Sequence, residues 1–401
     1  MTSSRIAVEE CDAGRLSSAD VAFPEPGKVA AMRVAIETPA ASLIRRLQVI
    51  RFPLVVSVIF HHNGMGTVRL ADGINMSAGP LSVWAQFIQG FISYGLGGIR
   101  MPTFFLISGY LFFTGFDRGG DWLFKKMSSR ARSVLAPLIV WNAIAILLLL
   151  AAQNVGPTRV FFSGSGAWSQ PIIEFGWFDY LNALLGISRD PILYPLWFLR
   201  DLFLMCLLAP LYFVLPRFVQ YSLIAMFGVL WLLDAWPYEV PTVQACFFFA
   251  FGASAAMAKK NLFVMDPYLK WVCAVLSVLV IAGALVPADG PVASTLTHLK
   301  HLAGVIVVLT ISQYLLRMPK TSSLLIRLSA PSFLLFVAHE PLLTIVRKTM
   351  YVLFVPNSSA AALSIYFGAV ACTVLLILGA YYLAERYAPR TLSALTGGRS
   401  A

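Results

Sequence analysis

The chain has 401 residues, 58% of them hydrophobic and only 12% charged, with a mean hydropathy of +0.76. Soluble domains carry about 25% charged residues, so a water-solvated core is excluded and lipid is the expected solvent. The formal charge of +11 is spread over short loops with no aromatic-interleaved basic face, which argues against nucleic acid and for positive-inside membrane topology.

Residues 1–44 are polar and rich in Ala, Ser, Pro and Glu, with no apolar run long enough for a signal peptide, and are expected to form a disordered cytoplasmic tail. Met32-Arg33 resembles a second translation start. Ten apolar segments follow: Leu47–Asn63, Phe91–Phe113, Val134–Ala152, Leu196–Val214, Ser222–Trp236, Val243–Met257, Trp271–Val286, Leu302–Leu316, Ser332–Val346 and Ile365–Leu383. Several reach the ~20 residues needed to cross ~30 Å of hydrocarbon. An even number of spans puts both termini on one side. With that side in the cytosol, 22 Lys and Arg fall on inner segments and 8 elsewhere, the expected bias.

The expected fold is therefore all-α and polytopic, with ten transmembrane helices over 45–387 and cytoplasmic tails at 1–44 and 388–401. About 40 residues between Ala152 and Leu196 carry Trp168, Trp177, Phe178 and Tyr180 and read as a re-entrant or interfacial cap. The cysteines Cys11, Cys206, Cys246, Cys273 and Cys372 stand singly, as small hydrophobes rather than disulfide or zinc partners.

Polar groups inside hydrocarbon are costly, so function is sought there. The first span runs from Arg51 to His61-His62-Asn63. At 100° per residue, Arg51 and His62 share one face about 16 Å apart along the axis, whereas His61 ends about 80° away. An arginine holding an anion at one end, with an imidazole deeper in a polar cavity, suits proton transfer. In the second span, Pro102 is expected to open the helix near Arg100, and Ser108-Gly109 to admit a neighbouring helix closely.

Lys125, Lys126, Arg130 and Arg132 precede the third span and serve either positive-inside anchoring or a polyphosphate ligand. Arg200 and Asp201 in the fourth span diverge by about 100° and are expected to meet different partners. His339 in the ninth span is a second polar group for the same cavity. His298 and His301 read as interfacial histidines, with no third metal ligand evident.

Taken in order, Arg51-X10-His62, the run Arg100, Pro102, Phe104, Phe105, Ser108, Gly109 and Tyr110, the basic stretch leading to Pro137, Trp141 and Asn142, the run Trp197 to Leu202, and Ser329 or Ser332 before Phe336 and His339 form one pattern. Over Arg46 to Tyr387 it resembles the acyltransferase-3 superfamily of membrane-bound bacterial O-acyltransferases, which modify surface or periplasmic glycans. Leu47-Gln48 stands where many members carry an aspartate, and His61 adds an imidazole. No soluble esterase-type domain is expected after the last helix.

The resemblance implies transfer of a short acyl group, with acetyl expected, from cytosolic acyl-CoA to a carbohydrate hydroxyl at the bacterial inner membrane, without a metal. On that reading Arg51, Lys125, Lys126, Arg130 and Arg132 hold the donor phosphates. His62 acts as general base or as transient acyl carrier. Arg100 or Arg200 faces the developing oxyanion, and Ser108, Asp201 and His339 complete the substrate site. The competing classes are a proton-coupled transporter or flippase and a membrane scaffold.

Overall fold

A computed structural model describes residues 39–71, 74–77, 79–95, 97–115, 120–156, 170–286 and 290–399. Most of the expected N-terminal tail, Met32 included, lies outside the described residues, as does Trp168. Residues 39–44 are not tail but the first turns of a helix, α1 (Pro39–His62).

A hairpin follows, with β1 (Val68–Ala71) antiparallel to β2 (Ile74–Met76) and Val68 paired with Met76. Val68 and Leu70 pack on Tyr351 and Ile365, which fixes the hairpin to the helical bundle. The short helix α2 (Val83–Gly90) buries Ala85 against Met65, Ala362 and Tyr366 and leaves Val83, Trp84 and Phe87 exposed.

The second apolar segment is jointed. It runs through a π-turn (Phe91–Gly95) and a 3-10 turn (Gly97–Ile99) before α3 (Arg100–Phe113) begins. The break therefore precedes Arg100. Pro102 does not open the helix but lies in its first turn, where a missing N–H costs no hydrogen bond.

Next come α4 (Gly120–Arg130), a π-turn (Ala131–Leu135), α5 (Ala136–Asn154), α6 (Trp177–Leu185), α7 (Trp197–Val214), α8 (Arg217–Leu232) and α9 (Val243–Met257). Then follow α10 (Leu269–Leu285), α11 (Pro291–Leu316), α12 (Pro319–Ser329), α13 (Ser332–Phe354), α14 (Ser359–Tyr387) and α15 (Pro389–Thr396). Side-chain caps start two of these helices: the Thr242 hydroxyl accepts from Ala245 N (3.3 Å) and that of Ser358 from Ala361 N (3.2 Å).

Among the described residues most of each predicted segment falls on helical backbone, although the fifth runs past the end of α8 at Leu232. Among the described residues, five helical stretches are long and apolar enough to cross a bilayer: Trp122–Asn154, Tyr194–Val214, Asp266–Gly283, Pro291–Leu316 and Ser359–Tyr387. A sixth is counted if α12 and α13, bent by 67°, form one span. On α10 the residues Trp271, Val275, Val278, Ile281 and Leu285, spaced three and four apart, are all exposed. Such a stripe belongs against lipid chains. The chain is a multi-pass membrane protein.

One polar tie and one close helix crossing brace the bundle. Arg46 is buried, with its guanidinium on both Asp266 oxygens (2.5 and 2.8 Å), on Ser312 Oγ (2.8 Å) and over the Phe263 ring. The α3–α9 crossing is closer still. A Cβ on Gly109 would collide with the Phe249 carbonyl, and one on Gly252 with the Leu106 carbonyl. The small residue expected to admit a neighbour does so, with a glycine on each helix. Because neither backbone can move aside, Gly252→Val is expected to cost about 1–3 kcal/mol or more. Thermal unfolding of purified protein in detergent checks this, and an unchanged Tm would contradict the crossing.

Candidate active site

α1 ends where its last two side chains meet three other elements. His62 Nδ1 is 3.0 Å from the Tyr194 hydroxyl, which the 3-10 turn Tyr194–Leu196 carries in ahead of α7. The His62 ring stacks on His339 of α13, with centroids 5.5 Å apart and planes at 25°. His61, 5.1 Å away, points elsewhere, its Nδ1 3.0 Å from the Ser93 carbonyl in the π-turn. The His62 ring is half-buried and borders three other polar rings, those of His61, Tyr194 and His339.

His339 is fully buried, and its Nδ1 lies 2.6 Å from the Phe336 carbonyl. A carbonyl only accepts, so Nδ1 carries the hydrogen and the neutral ring has a bare Nε2, which is buried and has no partner. The next residue, Glu340, bonds Thr344 through Oε1 (3.0 Å), leaving a buried, unpartnered Oε2 near Tyr194 and Arg347.

Arg100 is only 4% exposed, and its Nε and Nη1 have no hydrogen-bond partner among the described residues. It lies within electrostatic reach of His61, His62, His301 and His339. A buried guanidinium is normally paired with a carboxylate. This one faces imidazoles.

His301, read from the sequence as an interfacial histidine, packs against the joint before α3. It is half-buried, fills the space left by Gly98, and has a buried Nδ1 without a partner. His298 lies 3.5 Å from Asp234. Among the described residues no group of three or more His, Cys, Asp or Glu converges on one point.

Arg200 and Asp201 stand apart from this cluster. Rather than only diverging, they bond each other (Nε to Oδ1, 2.9 Å), while Arg200 also donates to the Gly186 carbonyl (2.9 Å) and lies 3.5 Å from Asp190. Asp201 Oδ2 accepts from Thr242 N at the start of α9 (2.8 Å). Together they tie the segment after α6 to α7 and α9. Ser108 sits about 12 Å along α3 from Arg100, beside the α9 crossing.

Three turns before His62, midway along α1, Arg51 is exposed. A cleft of about 550 Å³ opens nearby, with Lys125, Arg132 and three serines on one wall and Arg399 on the other. Arg130 and Arg51 both act electrostatically on Arg399. Lys126 turns away to the Leu111 carbonyl (3.4 Å). Among the described residues no carboxylate pairs with Arg51, Lys125, Arg130, Arg132 or Arg399. The chain thus has two polar sites joined by α1: an imidazole and guanidinium cluster, and a cationic cleft about three helical turns away.

The model of the family described as Acyltransferase domain (Acyl_transf_3) matches residues 44–381. The chain belongs to the acyltransferase-3 family. The curated protein "Succinoglycan biosynthesis protein ExoH" of Rhizobium meliloti (strain 1021) is 27% identical over 326 residues, covering 79% of this chain and 83% of that protein. No solved structure matches the chain. As an acyltransferase-3 protein the chain is an acyltransferase, and its motif residues Arg51, His62, Arg100 and His339 all lie inside the matched range. Pattern reading assigned no role to Tyr194, Glu340 or Arg399 and set His301 aside. Tyr194-Pro195 directly before the Trp197 run was the available signal for the first of these.

Proposed function

We propose that this acyltransferase moves a short acyl group, acetyl in the first instance, from cytosolic acyl-CoA to a hydroxyl of a surface or periplasmic polysaccharide. On this reading the protein crosses the inner membrane ten times with both termini in the cytosol. The observation that carries it is Arg100, a buried cation with two unpartnered nitrogens beside the His62 imidazole. A polysaccharide acceptor is supported by the relative named for succinoglycan biosynthesis.

The donor phosphates rest at Arg51, Lys125, Arg130 and Arg132 with Lys126 behind them, where charge-assisted hydrogen bonds hold a polyanion that cannot enter lipid. The thioester reaches along α1 toward His62. In the tautomer whose Nδ1–H donates to the Tyr194 oxygen, 3.0 Å away, His62 has a bare Nε2 to take the acceptor's hydroxyl proton. The acceptor oxygen then bonds to the thioester carbon, whose carbonyl oxygen becomes an oxyanion facing Arg100. Collapse breaks the carbon–sulfur bond, and the proton held by His62 passes to the thiolate, giving ester and free thiol. His339 supplies a second bare nitrogen to the acceptor pocket, while Arg200 and Asp201 act at a distance by bracing α7 and α9, and Ser108 by its place beside the α3–α9 crossing.

Purified protein given acetyl-CoA and a polysaccharide acceptor is expected to release free CoA thiol in step with ester formation. Absence of thiol release would point instead to a transporter built from the same groups.

A further inference from the structure

The segment after α14 lies beyond residue 381, where the family match ends, yet it is docked firmly. In α15, Leu392 and Thr396 are buried, and the Trp141 indole donates to the Leu395 carbonyl (3.0 Å). The chain then turns through Gly397 (φ +65) and Gly398 (φ +78), conformations that side chains rarely adopt. A Cβ on Gly397 would stand 2.7 Å from the Arg132 carbonyl and 2.9 Å from Pro137, so only glycine lets the strand pass so close to the π-turn before α5. This turn delivers Arg399 over the Phe333 ring, 3.8 Å from its centroid, with Nη1 on the Thr396 carbonyl (3.2 Å).

Arg399 thereby becomes the wall of the 550 Å³ cleft opposite Lys125 and Arg132. Among the described residues no carboxylate neutralises it. Burial, with Arg130 and Arg51 alongside, holds its pKa down to about 9. A cation kept among cations in a serine-lined cleft is short of an anion, and a ligand bearing phosphates would supply the missing charge.

We infer that Arg399, presented by the Gly397-Gly398 turn, is a phosphate-binding residue that closes the cationic cleft over the nucleotide end of the acyl donor. The inference rests on the acyl-CoA reading above and adds to it a donor-binding element outside the family-matched residues. It assigns the last turn of the chain to donor affinity and not to the transfer step.

The test uses the full-length protein and two probes, adenosine 3′,5′-bisphosphate for direct binding and acetyl-CoA against acetyl-pantetheine for turnover. Arg399→Ala is expected to weaken bisphosphate binding about tenfold or more. It should raise KM for acetyl-CoA by a similar factor while leaving kcat and turnover of acetyl-pantetheine unchanged, and Arg399→Lys should restore part of the loss. Arg217→Ala, which removes an exposed arginine of α8, should do none of this; equal loss there would reduce the effect to diffuse charge and overturn the inference.

Unaltered bisphosphate binding in Arg399→Ala would overturn it too. So would a variant that responds only to phosphatidylglycerol content in nanodiscs, which would make the cleft a lipid-phosphate site. If the wild type binds the bisphosphate through Arg399 but releases no thiol, the donor reading falls and the anion site stands.

Discussion

Replacing His62 with alanine is expected to lower acyl transfer about 10²–10⁴-fold, the range that a positioned acid–base group contributes, while the protein still elutes as a folded species. His62 is half-buried, and its hydrogen bond to Tyr194 joins the end of α1 to the turn before α7, a contact worth about 0.5–1.5 kcal/mol, so the fold should survive its loss. His61→Ala is the control. That ring is held by the Ser93 carbonyl and turns away from the His339 stack, so most activity should survive. Initial rates of thiol release from acetyl-CoA decide the matter, and equal loss at both positions would undo the assignment of one working face to α1. Tyr194→Phe removes the partner of Nδ1 and is expected to fall between the two.

Arg100 is expected to show the opposite signs in activity and stability. A donor aimed at a developing oxyanion is worth about 10²–10³ in kcat, so Arg100→Met should lose that much with KM for the donor nearly unchanged. The same substitution removes a buried charge whose Nε and Nη1 have no partner and replaces it with an apolar chain of similar length, which commonly leaves stability equal or improved. A higher Tm with activity nearly abolished is the signature of a group kept for chemistry. A large fall in Tm would show instead that Arg100 holds helices together.

How much of this was legible in the sequence differs from element to element. Composition and apolar segment length identified a helical membrane protein because hydrocarbon admits little else. The Arg51–His62 spacing was readable because eleven residues make almost three full turns. The hairpin was missed although Val68 and Leu70 alternate before Asp72-Gly73, a pair that favours tight turns; four residues are too few for the period to stand out from the surrounding apolar runs. Pro102 was placed correctly and its effect was not, since a proline opens a helix only beyond the first turn.

Tyr194 and Arg399 share a different reason. Each reaches its site through an irregular turn, and turns carry no period. Arg399 is also one more cation on a segment where any membrane protein is expected to carry cations.

The jointed second segment has one more effect. α3 contains 14 residues, a rise of about 21 Å, against roughly 30 Å of hydrocarbon. The remainder of that column is π-turn and 3-10 backbone, whose hydrogen bonds have poorer geometry than those of an α-helix. Regular α-helix on this line covers only about two-thirds of the hydrocarbon's thickness, and Arg100 stands at the joint where it begins. On the acyl-transfer reading, a group handed from donor to acceptor passes this joint while the donor's charges stay where they are.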